Sequence, residues 1–134
     1  MGEPKGYLTC QGKNPSGQGD CEFRIAKKRV DHLLAHGPVH KYFELFSVHE
    51  VLKNPKLIYE GLMRAGQEKG LCYVGTPRRH GDGVEYPPQP NMLFIVCTTE
   101  DFKIFEWGWE KVDEKEPDYP KNVKQRFGKL KWKT

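Results

Sequence analysis

Met92-Leu93-Phe94-Ile95-Val96-Cys97-Thr98-Thr99-Glu100-Asp101-Phe102-Lys103-Ile104-Phe105-Glu106-Trp107-Gly108-Trp109 is the stretch on which the architecture turns. Its first half is a short unbroken apolar run rich in β-branched and aromatic residues, the pattern of a strand buried on both faces. The second half alternates, with Phe105, Trp107 and Trp109 on one side and Ile104, Glu106 and Gly108 on the other. The charged break at Thr99-Glu100-Asp101 joins the two runs as an antiparallel hairpin in the middle of a sheet.

Working back towards the N-terminus, Leu71 to Gly75 reads as a further strand. Between it and Met92 lie Pro77, Pro87, Pro88 and Pro90, together with the triplet Arg78-Arg79-His80. That composition predicts a long loop, and long loops in compact domains often carry function. Asn54-Pro55 has the form of a helix start, with Asn54 as N-cap and Pro55 at the first helical position, and Leu57, Ile58 and Leu62 supply an apolar face. Ser47-Val48-His49-Glu50 has capping-box spacing. Ala26 to His36 also reads as helix, closed by Gly37-Pro38. Tyr7 to Cys10 and Cys21 to Ile25 flank a loop rich in Gly, Asn, Pro, Ser and Asp.

These elements predict one α+β domain spanning 1–134, with N-terminal helices packed on a small antiparallel sheet of three to five strands. Residues 1–25 form a hairpin or irregular layer, 26–70 are mainly helical and 71–110 form the sheet. Residues 121–134 are a basic C-terminal segment that fits a short helix, a strand or packed coil.

The 134 residues are 37% hydrophobic and 30% charged, which suits one polar but folded domain. No apolar run reaches the roughly 18–20 residues of a membrane helix, and residues 1–5 lack the pattern of a secretory signal. The expectation is a cytoplasmic protein that does not engage membranes. Net charge is +4, yet residues 121–134 carry five lysines, one arginine and no acid, or +6, so the remainder sums to 4 − 6 = −2. A basic end with Phe127 and Trp132 suits phosphates and stacked bases, with Lys124, Arg126 and Lys129 as contacts. The ordinary alternative is a solvated end whose aromatics pack on the body.

The phrase Leu52-Lys53-Asn54-Pro55-Lys56-Leu57-Ile58, followed by strands at Leu71–Gly75, Met92–Cys97 and Lys103–Trp109, resembles the barnase/EndoU/colicin/RelE-like (BECR) group of small ribonucleases. The similarity spans roughly Val39 to Trp109. It implies a helical part preceding a curved antiparallel sheet, cleavage of RNA without a metal cofactor, and, because many members are toxins, a cognate inhibitor or immunity protein as partner. Fold alone does not give function. The chemistry, however, has identifiable requirements. A proton must leave a 2′-hydroxyl and another must reach the leaving oxygen, while cations stabilise the charged transition state. Imidazole suits the first task and Arg or Lys the second. The candidates are His40, His49, Tyr73, Arg78, Arg79 and Glu106 for catalysis, with His80 assisting RNA binding. Each has an ordinary alternative: a surface histidine, solvated arginines, a core tyrosine, and a glutamate paired across strands.

A separate possibility is a structural zinc on Cys10, Cys21, His32 and His36. The two histidines stand four apart on the predicted helix and reach one ion from one face, and two thiolates complete a tetrahedral set. The ten residues between the thiols depart from zinc-finger spacing, and buried unligated cysteines are the commoner case. The alternative function is then a non-catalytic interaction domain using the face of Glu106 and the loop 76–91. No P-loop, dinucleotide fingerprint, H-E-x-x-H or G-x-S-x-G is present.

Overall fold

The computed structural model describes residues 7–28, 30, 31, 38–62, 69–76, 92–112, 115 and 127–134. The fold is mostly sheet, which corrects the expected helices-on-a-small-sheet arrangement. Seven strands, six of their neighbouring pairs being one parallel and five antiparallel, form one mixed sheet that curls into a half-barrel. In chain order they are β1 (Tyr7–Lys13), β2 (Asp20–Ala26), β3 (Leu57–Leu62), β4 (Lys69–Gly75), β5 (Met92–Thr99), β6 (Lys103–Lys111) and β7 (Phe127–Lys133). One long helix, α1 (Pro38–Lys53), lies between β2 and β3. In space the strands run β1-β2-β6-β5-β4-β3-β7, so β5 is the central strand. All of Leu93 to Thr98 is buried, as its continuous apolar run requires.

The main departure from the sequence reading is at 57–62. Asn54-Pro55 suggested a helix start, but the chain turns there into β3. Alternation decides the matter. Ile58 packs on the inner face with α1, whereas Leu57 and Tyr59 pack on the outer face. A period of two cannot be satisfied by a helix, and β-branched and aromatic side chains favour the pleated state. Gly61 admits a close neighbour: a Cβ there would lie 2.5 Å from the Cys72 sulfur on β4.

Helix α1 is also longer than its capping signal implied. Ser47 sits in mid-helix and is buried, and among the described residues its hydroxyl has no hydrogen-bond partner. Pro38 occupies the first helical position, where its missing N–H costs nothing. Val48, Val51 and Leu52 point into the sheet. They meet Ile58, Leu71, Tyr73, Phe94, Val96 and Ile104 from the inner faces of four strands, β3 to β6, together with Phe23 and Ile25 of β2.

The β5–β6 hairpin contains a bulge between Cys97/Glu106 and Thr98/Ile104. It corrects the expected alternation. Ile104 joins Trp107 and Trp109 on the inner side, and the extra residue, Phe105, goes with the outer cluster. Phe102 closes the turn with φ 67°. Arg24 of β2 anchors this turn: its amide donates to the Phe102 carbonyl at 2.9 Å, and its guanidinium lies 3.3 Å from the Asp101 carboxylate.

The curl has a visible cause. Edge strands β1 and β7 stand at opposite ends of the sheet order, yet the β1–β2 turn meets Trp132 of β7. Lys13 Nζ lies 4.7 Å from the centre of that indole ring. Gly17, at φ 84°, lies so close to the same ring that a side chain there would collide with it. Inside the curl, Phe23 contacts Tyr73 edge-on at 5.2 Å, and the Tyr73 hydroxyl donates to the Lys13 carbonyl at 2.7 Å. The hairpin and the helix together fill the concave side.

Candidate functional site

That filling removes the cleft expected between helices and sheet, and the described candidates do not converge on one place. Tyr73 is fully buried in the core, and burial, then the nearby Cys21, pushes its phenol far above the ordinary range. Its hydroxyl ties β4 to β1. His49 is exposed on α1. Glu106 pairs in register with Cys97 and lies on the outer face of the sheet, away from the helix. His40 belongs to α1, but its side chain lies outside the described residues, as do Arg78, Arg79, His80, Lys124 and Arg126 altogether. Lys129 is exposed on β7. Trp132 packs against the core beneath Lys13 and does not present an open ring for base stacking.

The thiol pair of the zinc hypothesis is also rearranged. The hairpin register sets Cys10 opposite Phe23 and Cys21 opposite Gly12, so the two thiols are diagonal neighbours. Such diagonals separate residues by roughly 7–8 Å, beyond the reach of a disulfide without backbone movement. Both sulfurs pack against the inner core. Burial, reinforced by Glu22 for Cys10 and by Asp20 for Cys21, raises both thiols above their usual range. His32 and His36 lie outside the described residues, and among those described no three His, Cys, Asp or Glu side chains are grouped to hold a metal.

Two other features emerge that sequence reasoning did not assemble. The first is a basic corner at the C-terminal end of α1. Lys56 N–H donates to the Val74 carbonyl at 2.7 Å, joining the start of β3 to the end of β4. Thr134 N–H donates to the Lys56 carbonyl at 2.9 Å, and its hydroxyl donates to the Pro55 carbonyl at 3.1 Å, which brings in the end of β7. Gly75 packs against Val51 and Asn54. Exposed Lys53, half-buried Lys56 and exposed Lys133 lie on the segments that this network joins, with exposed His49 one helical turn before Lys53 on α1; Lys133, paired with Leu57, is on the outer face. The segment carrying Arg78-Arg79-His80 departs from the same corner, just after Gly75 and Thr76.

The second feature is a shallow pocket of about 190 Å³ on the outer face. Ile95, Cys97 and Gly108 line it, and Glu106 and Glu110 stand two residues to either side of Gly108. The space above Gly108 is open, since a Cβ there would meet nothing within 4 Å. Carboxylates beside the pocket favour a cation over a phosphate.

No protein-family model matches the chain, and no curated protein or solved structure does so either. Among the described residues no helix is long and apolar enough to cross a membrane.

Proposed function

We propose that the chain is a metal-independent endoribonuclease or RNA-binding domain of the BECR type, working at the basic corner. The observation that carries this reading is the hydrogen-bonded junction at 53–57, 74–76 and 133–134. It ties the end of α1, which carries His49 and Lys53, to the segments that carry Lys56 and Lys133 and to the end of β4, from which the chain continues to Arg78 and Arg79. The resemblance rests on a helical part followed by strands at 71–75, 92–97 and 103–109; those three strands form, after one helix and the additional strand β3.

In this reading Lys53, Lys56 and Lys133 attract the RNA backbone and fix its register. His49 takes the 2′-hydroxyl proton as that oxygen attacks the adjacent phosphorus. A second imidazole, His80 or His40, returns a proton to the departing 5′-oxygen. Arg78 and Arg79 offset the growing charge on the phosphoryl oxygens. Tyr73 and Glu106 have no part in it, the first because it is sealed in the core, the second because it lies on the outer face. A cytoplasmic protein inhibitor would cover the same corner.

The test uses the purified full chain and a fluorescent mixed-sequence RNA in EDTA. The parent cleaves, and His49→Ala and Arg79→Ala each slow cleavage by about a hundredfold or more. If the parent leaves every RNA intact, or both variants match it, the ribonuclease reading is lost. A second reading, a non-catalytic interaction domain, has the outer pocket in its favour: Glu106 and Glu110 would hold a cationic group of a partner. Protein that neither cleaves nor retains RNA, yet loses a partner on Glu106→Gln, fits that reading instead.

A further inference from the structure

Cys72 and Cys97 occupy directly opposed positions on β4 and β5, and their sulfurs approach to 3.4 Å. Both side chains are buried, at 4% and 6% exposure, in the outer-face cluster. Two buried cysteines are ordinarily inert small hydrophobes. Three features set this pair apart. Opposed residues of an antiparallel ladder have Cα atoms about 4.5–5.5 Å apart, inside the range that a disulfide spans without moving the backbone. The sulfurs are already in contact, and Gly61 on β3 leaves the room that the Cys72 sulfur occupies beside it. Finally, Cys97 lines the outer pocket, which gives a small solute an entrance to one of the two thiols.

We infer that Cys72 and Cys97 form a peroxide-responsive dithiol, with Cys97 as the residue attacked first and Cys72 as the resolving thiol. Cys97 loses its proton, and its thiolate attacks one oxygen of a hydroperoxide. The O–O bond breaks, leaving Cys97 as a sulfenic acid, and the departing hydroxide or alkoxide takes up the proton. The Cys72 sulfur then attacks the Cys97 sulfur and the S–O bond breaks. Hydroxide leaves and combines with the Cys72 proton as water. The balance is two thiols and one hydroperoxide giving one disulfide, one water and one further water or alcohol. Because the resolving thiol is in contact from the start, resolution outruns further oxidation. The consequence for the fold is a covalent tie between the two strands that bracket residues 76–91, the segment that leaves the basic corner. Reduction by a dithiol restores the open form. Cys10 and Cys21, set diagonally, lack this geometry.

The experiment exposes the native full chain to hydrogen peroxide, blocks remaining thiols by alkylation under denaturing conditions, and maps peptides by mass spectrometry. The expected product is a Cys72–Cys97 cross-link, about 2 Da lighter than the two thiol peptides, with Cys10 and Cys21 alkylated. Dithiothreitol should reverse it and return the melting temperature to that of the untreated protein. Cys72→Ala should trap Cys97 as sulfenic, then sulfinic acid. If that variant does not fold, the cross-link in the parent protein still decides the matter. Oxidation of Cys97 to sulfinic or sulfonic acid in the parent without a cross-link would overturn the inference. So would a Cys10–Cys21 bond as the main product, or thiols that react only after unfolding. This outcome is independent of RNA cleavage, since neither thiol lies at the basic corner.

Discussion

Tyr73→Phe removes one atom from the closure of the half-barrel. The ring of Tyr73 is fully buried and rests edge-on against Phe23 at 5.2 Å, a contact that phenylalanine preserves. What is lost is the 2.7 Å hydrogen bond to the Lys13 carbonyl. A net bond of this kind contributes about 0.5–1.5 kcal/mol, and a carbonyl left without a partner adds roughly 1–3 kcal/mol. The Cys21 sulfur, 3.8 Å from the same carbonyl, offers only a weak substitute donor. The expected destabilisation is therefore about 1–3 kcal/mol. For a domain between the commonly tabulated sizes, each kcal/mol lowers Tm by roughly 3–5 °C, so the drop should be about 3–15 °C. Thermal unfolding followed by circular dichroism measures it, with urea unfolding as the check that the slope m is unchanged. RNA cleavage per folded molecule should be unaffected. An unaltered Tm would refute the closure argument. A large loss of cleavage at unaltered stability would restore Tyr73 as a catalytic residue.

Two further outcomes follow from the packing and from the buried acids. Gly61→Ala drives a methyl to 2.5 Å from the Cys72 sulfur, which is itself held against Cys97. Overpacking of this kind costs about 1–3 kcal/mol, and Cys72→Ala in the same chain should recover most of it in urea unfolding; simple addition of the two losses would contradict the contact. With pH, the folded state holds the protons of Cys10, Cys21 and Tyr73 more tightly than the unfolded chain does. Their contribution is fully present below about pH 8.5 and fades as pH rises, first with the thiols and then, above about pH 10, with the phenol. A urea midpoint that stays level or rises between pH 8 and 11 would contradict this.

The central hairpin was legible because each of its signals agreed: a continuous apolar run, a polar turn and aromatic alternation. Strand β4 was legible from its own apolar run, whereas the N-terminal segment left a hairpin and an irregular layer both open. The segment at 57–62 was not, because Asn54-Pro55 gives a helix-start signal that is local, while the alternation of Leu57, Ile58 and Tyr59 pays off only once β4 and β7 flank it. Ser47 misled in the same way, since a cap needs a helix end and α1 runs straight through it. The bulge at Phe105 depends on its pairing partner and leaves no mark in the strand's own pattern. At the site, His49 and Glu106 were recognisable as polar residues with an exposed side, but nothing in the sequence separates the two faces they occupy. The basic corner rests on backbone hydrogen bonds between residues 56, 74 and 134. Contacts of that range carry no sequence signature.

An amide-resolved NMR titration with a short RNA carrying 2′-O-methyl groups throughout, and so unable to supply the attacking hydroxyl, tests the functional assignment most directly. The account predicts shifts at His49, Lys53, Lys56, Gly75, Lys133 and Thr134 that weaken steeply as salt is raised. Shifts centred instead on Ile95, Cys97 and Gly108, or no shifts at any salt concentration, would contradict it.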